Sequence, residues 1–219
     1  MQTRTPATPR ETALMLGLSL GLAAFTAGCG GGGAAAAAAT TPAPTGLSYG
    51  AGSATYTKGM AITPSTPTAG GGAVAAYSVS PALPAGLSLH PTTGVLSGTP
   101  TAVTPTATYT VRASNAGGSA TAILSLTVND VAPAFDYATT EIVIGKDAVL
   151  TPLAPTSTGG TVVAWSVSPA LPPGLALNPG TGVLSGTPTA SAAPQAYTVT
   201  ATNSGGSLGK QLNLTVIGA

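Results

Sequence analysis

Residues Ser78 to Pro100 read SVSPALPAGLSLHPTTGVLSGTP, and the stretch returns almost unchanged from Ser166 to Pro188 as SVSPALPPGLALNPGTGVLSGTP. Trp165 stands in the second copy where Tyr77 stands in the first, a shift of 165 − 77 = 88 positions. Self-similarity at one fixed spacing is the signature of a tandem repeat. The chain is therefore predicted to contain two copies of one folding unit.

The prolines and glycines of this stretch predict where its strands stop. Proline fixes φ and removes a backbone donor, so Pro81, Pro84 and Pro91 belong in connections or at sheet edges. Leu87 to Leu89, before Pro91, and Gly94 to Ser97, after it, are predicted to form two short strands joined by a turn.

Outside this stretch, apolar residues alternate with polar ones, which is the period of a half-buried strand. In the segment from Thr108 to Ser114, the residues Tyr109, Val111 and Ala113 fall on one face. One buried face and one wet face are typical of antiparallel sheets. The residues alone therefore predict an all-β fold made of antiparallel β-sandwiches.

The composition argues against catalysis and against nucleic-acid binding. Charged residues make up only 5% of the chain, with one histidine and one cysteine, while glycine (30) and proline (20) are abundant. The sequence contains no metalloprotease, nucleophile-elbow or phosphate-loop motif, and no basic patch that could neutralise phosphates. We expect no enzyme, no catalytic residue and no nucleic-acid partner.

The one histidine, His90, lies in the predicted turn and is replaced by Asn178 in the second copy. Histidine and asparagine side chains can both accept a hydrogen bond from a nearby backbone N–H. His90 is therefore interpreted as a turn residue and not as a catalyst.

The first 28 residues have the pattern of an export signal. Arg4 and Arg10 supply positive charge, and an apolar run follows from Ala13 to Phe25. This run is shorter than the ~20 residues that a membrane-spanning helix needs. We predict a signal peptide over residues 1–28, and the protein is expected to be exported.

Residues 26–29, Thr-Ala-Gly-Cys, resemble the lipobox of bacterial lipoproteins, with Thr26 where that motif usually has leucine. The resemblance implies diacylglycerol on Cys29, cleavage before it, and N-acylation of the new terminus. More than one acyl chain gives stable membrane attachment. Gly30 follows the cysteine, which implies an outer-membrane or cell-surface address in a Gram-negative host. The alternative is an ordinary secretory peptide with a leftover thiol.

Residues 29–44 then form a segment of glycine, alanine and proline without a core-forming pattern. Such segments behave as spacers. We predict a flexible tether that lifts the two repeats off the bilayer.

Four motifs of the first repeat, ALPAGL, TGVLSGTP, TYTVRASNAGG and LSLTV, resemble the immunoglobulin-like module of bacterial surface proteins, a relative of the cadherin-like group. The resemblance implies a sandwich of about seven strands per module. It covers residues 45–129, called here the first module, and residues 133–217, called the second module, with a linker at 130–132. Its expected core aromatics are Tyr77 and Trp165, and its expected tyrosine corners are Tyr109 and Tyr197.

The linker suggests one metal hypothesis. The segment from Val128 to Phe135 resembles the linker of cadherin repeats, whose Asn and Asp oxygens help to hold calcium. Asn129, Asp130 and Asp136 could contribute oxygens, with Glu141 as a further candidate. Calcium takes six to eight oxygen ligands, and the first repeat contains no Asp or Glu. We therefore expect at most a weak calcium site.

These patterns predict a non-catalytic, lipid-anchored protein of the cell envelope, whose modules act as a surface spacer or as an adhesion and binding unit. Its partners would be the membrane, through the anchor, and a protein or polysaccharide that the sequence does not identify. Two alternatives remain open, a cadherin-like pair stiffened by calcium and a carbohydrate-binding lipoprotein. Exposed aromatic side chains would favour the carbohydrate alternative.

Overall fold

A computed structural model describes residues 40–218, and every regular element in that range is a strand. The predicted signal peptide, Cys29 and most of the predicted tether lie outside the described residues. Within the described range, no helix is long and apolar enough to cross a membrane.

The first module consists of eight strands in chain order. They are β1 (Pro44–Ser48), β2 (Ser53–Thr57), β3 (Thr68–Gly71), β4 (Ala76–Ser80), β5 (Leu87–Leu89), β6 (Leu96–Gly98), β7 (Thr104–Asn115) and β8 (Gly118–Asn129). The two short strands predicted within the opening stretch are confirmed as β5 and β6, which pair with each other. Prolines and glycines lie around them, as the turn chemistry requires.

The second module repeats this series with one additional strand, β11, where the first module has only an isolated bridge between Ser65 and Leu96. Its strands are β9 (Phe135–Tyr137), β10 (Glu141–Gly145), β11 (Leu150–Leu153), β12 (Pro155–Ser157), β13 (Ala164–Ser168), β14 (Leu175–Leu177), β15 (Leu184–Gly186), β16 (Ala192–Asn203) and β17 (Gly206–Ile217).

Each module has a main sheet of four strands, in the order β2-β8-β7-β4 in the first and β10-β17-β16-β13 in the second. Smaller sheets, β1-β3 and β5-β6 in the first module, and β12-β9 and β11-β15-β14 in the second, complete the sandwiches. The predicted all-β class with two tandem sandwiches is confirmed.

One edge of each main sheet departs from the predicted antiparallel pairing. Strand β2 runs parallel to β8, with Ser53 opposite Ser125, and β10 runs parallel to β17, with Glu141 opposite Asn213. The chain reaches β2 after leaving β1 in the other sheet, so no hairpin sets its direction. Period-two alternation identifies the buried face of a strand but carries no information about strand direction.

The core of each module comes from the same alternating positions. In the first module, Tyr109, Val111 and Ala113 of β7 are buried, as are Leu124 and Leu126 of β8. The second module buries Tyr197, Val199, Ala201, Leu212 and Leu214 at the corresponding positions of β16 and β17. Each large apolar side chain that is removed from water contributes roughly 1.5–3 kcal/mol, so these hairpins supply much of each core.

The four aromatics expected in the cores do not behave alike. Trp165, Tyr109 and Tyr197 are buried, at 6%, 4% and 4% exposure. Tyr77 is only half-buried and packs against the edge of its core. The smaller phenol ring fills less of the place that the indole fills in the second module.

The tyrosines that bond to distant backbone oxygens are not those expected from the resemblance. The hydroxyl of Tyr49 donates to Gly94 O at 2.6 Å, and that of Tyr137 donates to Gly182 O at 2.5 Å. Tyr197, expected as a tyrosine corner, instead donates to Gln195 Oε1 at 3.5 Å. Burial raises the pKa of both Tyr49 and Tyr137 to about 12. These two hydrogen bonds join the beginning of each module to the turn before β6 or β15.

Candidate functional site

The linker between the modules lies in a cradle at the near end of the second module. The side-chain amide of Asn203 donates to Val131 O at 2.7 Å. A Cβ added to Gly205 would overlap Asp130 O, and one added to Gly160 would overlap Val131 O. Only glycine at these two positions lets the linker backbone approach so closely.

The first module holds its own incoming chain in the same way. Asn115 Nδ2 donates to Pro42 O at 2.7 Å. A Cβ on Gly72 would overlap Pro42 O, and one on Gly117 would overlap Thr41 O. The cradle is therefore a repeated feature of the fold, and Thr41 occupies the place that Asp130 occupies at the junction.

Thr41 and Asp130 are 89 positions apart, one more than the shift of 88 that relates the rest of the two repeats. In the first module the register slips between Thr45 and Ser48, where Gly46 has a φ of 59°. Such a bulge adds one unpaired residue to one strand and interrupts the ladder only locally. Because the second module has no such bulge, its incoming chain is one residue shorter relative to the core.

The carboxylate of Asp130 is fixed by backbone donors. Val131 N donates to Oδ1 at 2.9 Å, and Thr161 N donates to Oδ2 at 3.3 Å. The backbone N–H of Asp130 donates to Ser204 Oγ at 2.9 Å. Only 12% of the side chain is exposed. The negative charge of Asp130 is therefore held in one position, where the linker meets the second module.

Lys58 brings the first module to the same carboxylate. Its Nζ lies 3.9 Å from Asp130 Oδ1, and its backbone N–H donates to Asn129 O at 2.8 Å. The side chain is 41% exposed. A pair as open as this contributes on the order of 0–1 kcal/mol to stability. The ion pair matters more for its position than for its energy, since the carboxylate of Asp130 contacts residues of both modules.

A groove of about 350 Å³ opens beside this ion pair. Its walls come from both modules and from the linker. The lining residues are Lys58, Gly59, Asp130, Val131, Thr158, Gly159, Gly160 and Thr161. The sequence pattern did not point to Lys58 or Thr161, because neither belongs to a motif and their contacts join distant parts of the chain.

The other predicted calcium ligands have different surroundings. Asp136, exposed on β9, pairs with Lys210 Nζ at 2.7 Å. Glu141 Oε1 accepts from Asn213 Nδ2 at 2.6 Å, while Asn129 ends β8. Within residues 40–218, no group of three or more His, Cys, Asp or Glu side chains could hold a metal ion. The weak calcium site at Asn129, Asp130 and Asp136 stays a prediction.

The interpretation of His90 as a turn residue is confirmed. Its Nδ1 accepts from the backbone N–H groups of Thr92 and Thr93, at 3.3 and 3.2 Å. In the second module, Asn178 Oδ1 accepts from Gly180 N at 2.9 Å and from Thr181 N at 3.1 Å. The two different side chains thus cap the same turn.

Every Phe, Tyr and Trp side chain in the described part of the chain is buried or partly buried. The exposed large apolar side chains are aliphatic or methionine, with Ile123 and Val143 among them. A flat aromatic platform for a sugar ring is therefore absent from residues 40–218.

Two segments of the chain, residues 39–129 and 132–217, match the model of the family described as Putative Ig domain. Among solved structures, the chain is similar to extracellular domains 3–5 of Drosophila OTK, at 15% identity and a TM-score of 0.47. It is also similar to immunoglobulin domains 1–4 of Sidekick-1, at 18% identity and a TM-score of 0.47.

The matches cover 78% and 83% of this chain. They span only 62% of the OTK structure and 50% of the Sidekick-1 structure. No curated protein matches the chain.

Proposed function

The chain belongs to the family described as Putative Ig domain, and on that premise we propose that it is a non-catalytic, lipid-anchored protein of the bacterial cell envelope. Its two modules act as a surface spacer that also presents a binding surface. The proposal has two parts, a stiff junction between the modules and a lipid anchor at Cys29.

The observation that carries the spacer role is the junction at Asp130. Its carboxylate contacts Lys58 of the first module and Thr161 N of the second, and its backbone N–H contacts Ser204. Free linkers of glycine and serine behave as flexible coils. The contacts at Asp130 instead restrain the linker on both sides, which suits a protein that must hold its outer module away from a surface.

The anchor rests on the sequence around Cys29. An apolar run and small residues precede this cysteine, the only one in the chain, and the glycine- and alanine-rich tether follows it. With acyl chains at Cys29, residues 30–44 would separate the anchor from both modules along the chain. Membrane attachment and the spacer role therefore support each other.

The experiment that tests the anchor is intact mass and membrane fractionation of the protein from its own host. We expect a mature chain that starts at acylated Cys29 and sediments with membranes, and we expect Cys29→Ser to abolish both properties. Thr26→Leu, which supplies the usual lipobox residue, is the matched control and should leave the anchor in place. An unmodified soluble chain from the wild-type gene would overturn the anchored half of the proposal.

Calcium at the junction is a second candidate, and the restrained, mostly buried carboxylate of Asp130 is the observation that supports it. Lys58 competes for the same oxygen. A calcium titration followed by thermal unfolding separates the two accounts. A rise in melting temperature at millimolar calcium that disappears in Asp130→Asn would support the calcium junction, whereas an unchanged curve would favour the ion pair.

A further inference from the structure

The ammonium group of Lys58 has hydrogen-bonding capacity to spare. Lysine carries three N–H donors, and the nearest carboxylate oxygen, at 3.9 Å, lies beyond hydrogen-bond length. Within the described residues, Lys58 Nζ makes no hydrogen bond that satisfies the usual geometry. The unused donors lie at the wall of the junction groove.

The carboxylate of Asp130 also has acceptor sites to spare. An ionised carboxylate offers about four lone-pair sites. Two are used, by Val131 N and Thr161 N. A strong donor and a strong acceptor thus stand side by side, and neither satisfies the other.

A hydroxyl group matches this pair. One oxygen placed ~2.8 Å from both Lys58 Nζ and Asp130 Oδ1 would subtend an angle of roughly 90° there, which lets it accept from the ammonium and donate to the carboxylate. A carbonyl has no proton to donate to Asp130, and a cation repels Lys58 as an anion repels Asp130. The pair therefore fits a neutral group that is donor and acceptor at once, which describes both a water molecule and the ligand hydroxyl that would displace it.

The shape of the groove agrees with a small polyol. Its volume of about 350 Å³ is at the low end for a ligand site. Thr158 and Thr161 add polar groups, and Val131, 45% exposed, adds an apolar surface. A sugar ring presents this combination of hydroxyl edges and C–H faces.

We propose that the junction groove binds a neutral carbohydrate through adjacent hydroxyl groups held by Lys58 and Asp130. This deepens the binding half of the proposed function and rests on it. Without an exposed aromatic for stacking, which commonly adds affinity, the site binds one or two sugar rings weakly, in the millimolar range.

Two other places in the molecule serve as internal controls. At the first module's own cradle, Thr41 and Ala73 stand where Asp130 and Thr161 stand, so that cradle has no ion pair. At the far end of the second module, Lys146 matches Lys58, but its Nζ already donates to Asp147 Oδ2 at 2.9 Å. Of these three places, only the junction has a lysine and a carboxylate side by side that make no hydrogen bond to each other.

The test is a titration of the full isotope-labelled chain with maltose, cellobiose and N,N′-diacetylchitobiose, followed by amide chemical shifts. Sugar concentrations up to about 50 mM suffice, because they exceed a dissociation constant of ~1 mM many times over. We expect saturable shifts at Gly59, Val131 and Thr161 with at least one sugar. Lys58→Met should weaken that binding at least tenfold, and Lys146→Met should leave it unchanged.

Three results would overturn the proposal, namely no saturable shift with any of the sugars, shifts confined to another surface, or equal binding by Lys58→Met and wild type. Thr161→Ala, which keeps the backbone donor to Asp130, is a second variant in case Lys58→Met perturbs the junction, and it should weaken binding by a smaller factor. Failure here leaves the mass and fractionation result at Cys29 intact, so the two proposals fail separately.

Discussion

The two modules share a fold and fill the same central place differently. In the second module, Trp165 packs edge-on against Phe135 with ring centroids 4.7 Å apart, and Phe135 does the same with Tyr137 at 5.9 Å. In the first module, half-buried Tyr77 and aliphatic Leu47 occupy the places of Trp165 and Phe135. Within residues 40–218, both aromatic pairs belong to the second module.

This difference separates what specifies the sandwich from what stabilises it. The glycines, the prolines and the alternating residues of the long hairpins are nearly the same in both modules, and so are the strands. The central aromatic changes without changing the topology. The sandwich therefore tolerates either Tyr or Trp at this core position. We expect the change of residue to appear as a difference in stability between the two modules.

The largest effect should come from Trp165→Ala. Removing a buried indole costs about 3–5 kcal/mol through lost transfer energy and the cavity left behind. Tyr77→Ala, at the matching place in the first module, should cost less because its smaller ring is only partly buried. Amide hydrogen exchange of the full chain reports each module separately. If Trp165→Ala left the amide exchange rates of the second module unchanged, Trp165 would not stabilise the core of that module.

The next effect concerns the glycines that lie against these rings. A Cβ on Gly182 would lie 2.6 Å from the indole of Trp165, and one on Gly94 would lie 2.6 Å from the ring of Tyr77. Both glycines have positive φ, 72° and 70°. Alanine at either place should cost about 1–3 kcal/mol through backbone strain.

Gly182→Ala should cost more than Gly94→Ala, because the buried indole of Trp165 has less room to move away than the partly buried ring of Tyr77. Urea unfolding of the two variants measures this difference. Equal losses of unfolding free energy in the two variants would mean that both rings move away equally easily. The proposed difference between the two cores would then be wrong.

Alkaline pH should sharpen the comparison further. Burial raises the pKa of Tyr49 and Tyr137 to about 12, from the ordinary tyrosine value of about 10. Because the folded-state pKa is the higher one, each group's contribution is fully present below pH 10 and is lost as pH rises from 10 to 12. Both modules should therefore lose stability in this window.

The first module should lose more, since burial also raises the pKa of Tyr56, whose counterpart is Ile144. Hydrogen exchange between pH 10 and 12 is too fast to follow, so the measurement is urea unfolding of Tyr49→Phe and Tyr137→Phe against wild type at pH 8 and pH 11. Each variant should lose about 0.5–1.5 kcal/mol at pH 8 with its hydroxyl bond, and less at pH 11. A loss that does not change with pH would contradict the pKa assignment.

The smallest effect on stability should come from Asp130→Thr, which places at the junction the residue found in the first module's cradle. The partly exposed ion pair with Lys58 contributes on the order of 0–1 kcal/mol, so neither module should melt much earlier. Differential scanning calorimetry checks this directly. A drop of several kcal/mol would show that the junction is part of a core, which the account does not allow.

Much of the fold could be predicted from the sequence because its signals are local. The shift of 88 positions between Tyr77 and Trp165 gave the two modules, and alternation around Val111 gave the buried face of β7. The turn role of His90 followed from its replacement by Asn178. Each of these inferences needed only residues within one strand or turn, or the comparison of one copy with the other.

The junction could not be predicted in this way. The pairing of Lys58 with Asp130, and of Asp130 with Thr161, joins residues that are far apart in the chain and depends on how the sandwiches close. The bulge at Gly46 moves Thr41, not Pro42, into the place of Asp130, which a constant shift conceals. The resemblance implies tyrosine corners at Tyr109 and Tyr197, whereas Tyr49, just after β1, and Tyr137 of β9 make the long-range hydroxyl bonds.

The most direct test of the central claim, that the contacts at Asp130 join the two modules into one stiff unit, is ¹⁵N relaxation of the full chain. We predict that amides of both modules fit a single rotational diffusion tensor, and that Asp130→Thr lets the modules tumble as two faster bodies. Independent tumbling of the modules in the wild-type chain would contradict it.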